Sequence, residues 1–71
     1  MSLAQKLKQL RLQAGLTQEQ LAARIGVSSR AVKYWEHGTR TPSIASLLAL
    51  AGCFQVSLDR MFGGIDERWG K

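Results

Sequence analysis

The sequence predicts an all-α protein built as one compact domain of five short helices. Apolar residues recur at spacings of three and four, residues that favour helix starts precede these stretches, and no stretch shows β-type alternation. The chain contains only one proline. Its length of 71 residues is enough for a single hydrophobic core. One cysteine and one histidine exclude an internal disulfide and argue against a zinc site, so no metal or cofactor is expected.

Each predicted helix has its own start and stop signals. Ser2 with Gln5, and Thr17 with Gln20, have the spacing of a capping box, and Gly15 is placed to end the first helix. We expect helices at about residues 2–14, 18–25, 29–37, 42–53 and 58–62. Residues 1–64 would form the domain and residues 65–71 a loose tail, in which Trp69 could dock.

The fourth predicted helix differs from the others in being apolar around most of its circumference. This composition favours a central position in the fold. Pro42 suits the first helical position, where the missing amide of proline has no consequence.

The net charge of +5 lies entirely in the first part of the chain. Residues 1–40 contain seven basic and two acidic side chains, whereas the remaining residues contain three of each. A localised basic surface indicates a polyanionic partner. The lone thiol, the lack of a secretory pattern and the lack of any long apolar run favour the cytoplasm and argue against a membrane partner.

The second and third helices are separated by only Gly26 and Val27, with Ser28 as the next cap. Two helices joined this tightly must cross at a large angle, and the second of them projects. A helix of about 10–12 Å diameter fits a major groove of about 12 Å width.

The chain is similar to the phage repressor and Cro family, the XRE-like regulators, in its helix-turn-helix region. The resemblance is carried by the stretch LTQEQLAARIGVSSRAVKYWEHG at residues 16–38, followed by Thr41-Pro42-Ser43. It extends over residues 3–64 and implies a lambda-repressor-like domain. It further implies a bacterial or phage-encoded, nucleoid-associated regulator, a repressor by expectation, that binds a palindromic operator in double-stranded DNA as a homodimer.

The resemblance also implies roles for individual residues. The recognition helix, about residues 28–37, would read bases in the major groove through Ser28, Ser29, Arg30, Lys33 and Tyr34. Phosphates would be bound by Gln18, Thr39, Arg40 and Ser43. Two alternatives stay open: Arg30 fits a guanine edge or a phosphate, and Tyr34 fits a thymine methyl group or a phosphate.

Other residues are expected to support the fold. The resemblance implies that Glu36 pairs with Arg11, while the spacing of Trp35 indicates core packing. In the fifth helix, Leu58, Met61 and Phe62 are candidates for a dimer interface, and the alternative is that they close the monomer core.

Competing functions remain possible at this point. An enzyme would need a nucleophile with a base, paired carboxylates or a metal cluster, and the sequence contains no such group, nor a sign of a small-molecule ligand. A protein-interaction module or an antitoxin-type partner could use the same fold. RNA binding is disfavoured because an A-form major groove excludes a helix.

Overall fold

The computed structural model describes residues 2–62, and the side chain of Phe62 is not included. Those residues form five helices and no strand: α1 (Leu3–Gln13), α2 (Gln18–Ile25), α3 (Ser29–His37), α4 (Ile44–Phe54) and α5 (Leu58–Phe62). The predicted all-α fold is therefore confirmed. The expected tail at 65–71, with Trp69, lies outside the described residues, as does the side chain of the interface candidate Phe62.

Side-chain caps begin the helices where the sequence signals predicted. The backbone amides of Gln5 and Gln20 donate to the hydroxyls of Ser2 and Thr17 at 3.2 and 3.0 Å, and both glutamine side chains accept in return. Such a cap stabilises a helix by about 1 kcal/mol relative to alanine. These contacts fix the helix starts by local chemistry, independently of the core.

The core takes at least one fully buried side chain from every helix. These residues, each less than 2% exposed, are Leu7, Leu21, Val32, Leu50 and Met61. Trp35 of α3 lies in the same cluster at 8% exposure, as its spacing indicated. Truncating one such side chain to alanine costs about 2–5 kcal/mol, so the core holds all five helices in one unit.

The turn between α2 and α3 has the tight geometry expected. Gly26 ends α2 at a φ of +75°, in the left-handed region that disfavours a β-carbon. The amide of Val27 donates to the carbonyl of Ala22 at 3.0 Å, and Ser28 caps α3. α3 therefore leaves the corner in a fixed direction.

Helix α4 departs from two expectations. It begins at Ile44 with Ser43 as its cap, because the Ser43 hydroxyl accepts the amide of Ser46 at 3.1 Å, so Pro42 lies before the helix and is buried there. α4 is also not central: Ile44 and Leu48 are 77% and 54% exposed. Its circumference is apolar, but the other helices cover only one side of it.

The expected role of Met61 in a dimer interface is wrong for this fold. Its side chain is 0% exposed and belongs to the core cluster, so a second molecule could not reach it. Leu58, the other described candidate, is 38% exposed and stays accessible. Within residues 2–62, no helix has both the length and the apolar character needed to cross a membrane.

Candidate nucleic-acid interface

The outward side of α3 is polar and basic because its other side is committed to the core. Val32 and Trp35 are buried, which leaves Arg30 and Lys33 exposed and Ser29 half-buried. The Ser28 hydroxyl accepts the amide of Ala31 at 3.2 Å. Its own proton is not used by that bond, so Ser28 can still donate to an external acceptor.

The loop after α3 folds back onto Tyr34. The guanidinium carbon of Arg40 lies 4.9 Å from the centre of the Tyr34 ring, a cation–π distance. The Thr39 hydroxyl donates to the Tyr34 carbonyl at 3.2 Å, and the Thr39 amide donates to the same oxygen at 3.1 Å. Tyr34 is half-buried, and its ring lies between α3 and the loop that follows it.

An open cleft of about 390 Å³ separates the outward side of α3 from the start of α4. Side chains that the sequence assigned to bases and to phosphates meet in its lining, which includes Ser28, Arg30, Tyr34, Arg40, Ser43 and Ser46. The Ser43 hydroxyl also donates to the Ser46 hydroxyl at 3.1 Å, so the cap engages it as both donor and acceptor.

Arg11 and Glu36 are brought together in a two-pronged ion pair. Arg11 Nε donates to Glu36 Oε2 at 2.7 Å and Arg11 Nη2 to Glu36 Oε1 at 3.1 Å, and the two side chains are 10% and 5% exposed. The hydrogen bond to Glu36 raises the pKa of Arg11, partly opposed by burial. Glu36 is therefore turned inward and neutralised, so it does not repel a phosphate from α3.

Gln18 is tied to the same pair. Its side-chain Nε2 donates to Glu36 Oε1 at 3.1 Å, while Arg11 Nη1 donates to the carbonyl of Leu16 at 2.9 Å. The amide oxygen and the second amide hydrogen of Gln18 take no part in the bond to Glu36. Gln18 thus starts α2 in a fixed orientation with polar capacity left over.

One basic residue near Gln18 was missed by the sequence reasoning. Lys8 lines a second cleft with Gln18 and His37, and Lys8 and His37 are both exposed. The signal was available, since Lys8 lies three residues before Arg11 and residues so spaced share one face of a helix. Lys8 extends the basic surface from α3 across to α1.

The proteins that resemble this chain are regulators rather than enzymes. A family profile described as "Helix-turn-helix" matches residues 7–61. The HTH-type transcriptional activator BcrR of Enterococcus faecalis is 41% identical over 64 residues, which are 90% of this chain and 31% of that protein. A helix-turn-helix transcriptional regulator of Archaeoglobus fulgidus is 31% identical over 67 residues, which are 93% of this chain and 96% of that protein.

Solved structures agree with the sequence relatives. The P22 c2 repressor, in complex with a synthetic operator, superposes with a TM-score of 0.83 at 28% identity, covering 90% of this chain and 97% of that one. The resemblance seen in residues 16–38 is thereby confirmed over most of the chain. The protein belongs to the XRE-type helix-turn-helix family of DNA-binding transcriptional regulators.

Proposed function

We propose that this chain is a sequence-specific regulator that inserts the start of α3 into the major groove of double-stranded DNA. The observation that carries the proposal is the outward side of α3, where Arg30 and Lys33 are exposed above a buried Val32 and Trp35. A rigid helix with exposed donors at its start is what reading of base edges requires.

Base reading in this proposal rests on the first turns of α3. Arg30 can present two parallel donors to the O6 and N7 atoms of guanine, which is the commonest specific contact in the major groove. Ser29 and Ser28 lie beside it and can donate or accept. Lys33 lies one turn later and reaches a neighbouring base or phosphate.

Phosphate contacts would flank the recognition helix on both sides. Gln18 starts α2 on one side, with Lys8 close by. On the other side, Arg40 and the capped start of α4 line the cleft between α3 and α4, and Thr39 directly precedes Arg40 in the chain. A helix start attracts anions through its free amides and its dipole, so the two sites would hold α3 in register with the bases.

The proposed assembly is a homodimer on a palindromic operator. One recognition helix reads only a few base pairs, which is too little information to mark a site in a genome. Two copies related by a two-fold axis would read half-sites about 34–36 Å apart on one face of the duplex. A protein seated in the groove in this way would exclude RNA polymerase from an overlapping promoter, so we propose repression in the cytoplasm as its action.

Fluorescence anisotropy with labelled random-sequence nucleic acids tests the proposed partner. Duplex DNA is expected to bind far better than duplex RNA of the same length. The affinity should fall steeply from low to moderate salt, because each neutralised phosphate contributes about −0.9 to the slope of log affinity against log salt concentration. A Lys33→Gln variant, which keeps a polar hydrogen-bond donor but removes the charge, should bind all duplexes less tightly. Equal binding to both duplexes would refute the proposal in favour of unspecific binding to nucleic acids, and no binding to either would refute it in favour of a protein partner.

A further inference from the structure

His37 lies on the side of α3 that the proposed function turns toward DNA. It follows Lys33 by four residues, and Lys33 follows Arg30 by three, so the three side chains share one face of the helix. All three are exposed, in contrast to Val32 and Trp35 on the core side. His37 therefore continues the polar and basic side of α3 to the last residue of the helix.

His37 lines two open clefts on either side of the end of α3. It shares the first, of about 310 Å³, with Lys8 of α1 and with Gln18, an uncharged residue of α2. It shares the second, of about 270 Å³, with Arg40 and with the start of α1. Gln18 and Arg40 are the residues proposed to contact phosphates on the two flanks of α3, so His37 lies between the two flanks.

The charges around His37 leave room for an anion. Lys8, Arg11 and Arg40 contribute positive charges to the lining of the two clefts. Among the described residues of that lining, Glu36 is the only carboxylate, and both of its oxygens accept hydrogen bonds from Arg11. The clefts are therefore positive overall, and a phosphate group would supply the anion that a protonated His37 lacks there.

We propose that His37 and Lys8 form a site for a phosphate of the DNA backbone at the end of α3, and that protonation of His37 strengthens this contact. A neutral imidazole can donate one hydrogen bond to a phosphate, whereas the protonated ring adds a positive charge. Histidine is the side chain whose charge ordinarily changes between pH 5 and 8. DNA binding is then coupled to uptake of a proton by each bound chain, so the affinity rises as the pH falls. This inference rests on the proposed function, since it requires α3 to lie in the groove.

Anisotropy titrations over a range of salt concentrations, at about pH 5.5 and about pH 7.5, test this site because His37 is the only histidine in the chain. Wild type should bind duplex DNA about two- to fivefold more tightly per chain at the lower pH. Its slope of log affinity against log salt concentration should also be steeper there, by up to about 0.9. His37→Gln should show the shallower slope at both pH values, and the permanently charged His37→Lys the steeper one. A wild-type slope that does not change with pH would overturn the proposal, as would a change that persists in His37→Gln.

Moving the histidine separates a local contact from the net charge of the chain. His37→Gln combined with Gln13→His keeps one histidine but places it at an exposed position, the last residue of α1. The net charge of this variant changes with pH as in wild type, yet its salt slope should stay constant. A pH dependence equal to that of wild type would overturn the proposal in favour of overall charge.

Lys8→Gln tests the second member of the site. It should make the salt slope shallower by about 0.9 at both pH values, while the difference between the two pH values persists. A slope equal to that of wild type would contradict a shared site, because Lys8 would then neutralise no phosphate.

The source of the phosphate is tested by NMR on the ring signals of His37 at about pH 5.5. These signals should move when duplex DNA is added and stay in place when inorganic phosphate is added at the same ionic strength. Equal movement with both would assign the cleft to free phosphate and overturn the DNA contact. Failure to bind any duplex would overturn the proposed function together with this inference, whereas a pH-independent slope in a chain that binds DNA would overturn the inference alone.

Discussion

Removing one partner of the Arg11–Glu36 pair is expected to destabilise the fold far more than removing both. In Glu36→Leu, the guanidinium of Arg11 stays in a site that is 10% exposed and keeps only its bond to the carbonyl of Leu16. In Arg11→Met, the carboxylate of Glu36 stays at 5% exposure with only the Gln18 amide as partner. Each variant leaves one charge buried and unneutralised.

The size of the effect follows from this geometry. Two charges about 4 Å apart at an effective dielectric constant of about 20 attract by about 4 kcal/mol. Breaking a buried pair on one side costs about 3–5 kcal/mol, a large part of the roughly 4–11 kcal/mol expected for a chain of this length. The double variant leaves only the Leu16 carbonyl and the Gln18 amide without their partners, which costs about 2 kcal/mol in total. The two single losses together exceed the double loss by about 4–8 kcal/mol, which is the expected coupling energy.

Urea unfolding followed by circular dichroism provides the assay, with wild type, both single variants and the double variant forming one cycle. Arg24→Met, at an exposed arginine of α2, is the matched control and should change stability by less than about 0.5 kcal/mol. The pKa of Arg11 is raised above an already strongly basic value, so its charge persists throughout the pH range of such an experiment. Single losses that add to the double loss within about 0.5 kcal/mol would refute the reasoning.

Three further predictions concern the corner and the proposed interface. Gly26→Ala should cost about 1–2 kcal/mol of stability in urea unfolding, entirely through its left-handed φ, because no atom lies within 4 Å of the added methyl group; an unchanged midpoint would contradict this. In anisotropy titrations, Arg40→Ala should weaken binding to all duplexes alike and reduce the slope of log affinity against log salt concentration by about one. Arg30→Ala should instead cost about 1–3 kcal/mol of binding free energy, and only on a preferred site. Equal losses on preferred and random duplexes would make Arg30 a phosphate contact. Tyr34→Phe should keep the stacking on Arg40 and leave the affinity for DNA unchanged. Tyr34→Leu should cost about 0.5–1 kcal/mol of binding free energy, and its effect should not add to that of Arg40→Ala. If Tyr34→Phe loses as much affinity as Tyr34→Leu, the hydroxyl of Tyr34 makes the contact.

The helix positions were predictable because their signals are local. A capping serine or threonine acts within three residues of itself, so Ser2, Thr17 and Ser28 mark helix starts without reference to the rest of the fold. The start of α4 was predicted two residues early because Pro42 and Ser43 both favour helix starts. The structure resolves this competition through the bond from the Ser46 amide to the Ser43 hydroxyl.

Burial was less predictable where a helix is apolar on all sides. The sequence pattern of α4 does not tell which side its neighbours cover, so the helix was expected to be central, although Ile44 and Leu48 are exposed. Met61 was expected at an interface for the opposite reason, since a five-residue helix gives too short a pattern to define its buried side. The bond between Gln18 and Glu36 joins residues far apart in the chain, so only the tertiary structure could reveal it.

The most direct test of the central claim is to select binding sites from a random duplex library with wild type and with Arg30→Ala, and to compare the two consensus sequences. We expect wild type to select an inverted repeat whose half-sites are centred about 10–10.5 base pairs apart, or a multiple of that. Arg30→Ala should select the same repeat with the preference lost at one guanine-containing base pair in each half-site. An identical consensus from both proteins would contradict base reading by Arg30. Failure of wild type to enrich any sequence would contradict the claim that α3 reads DNA.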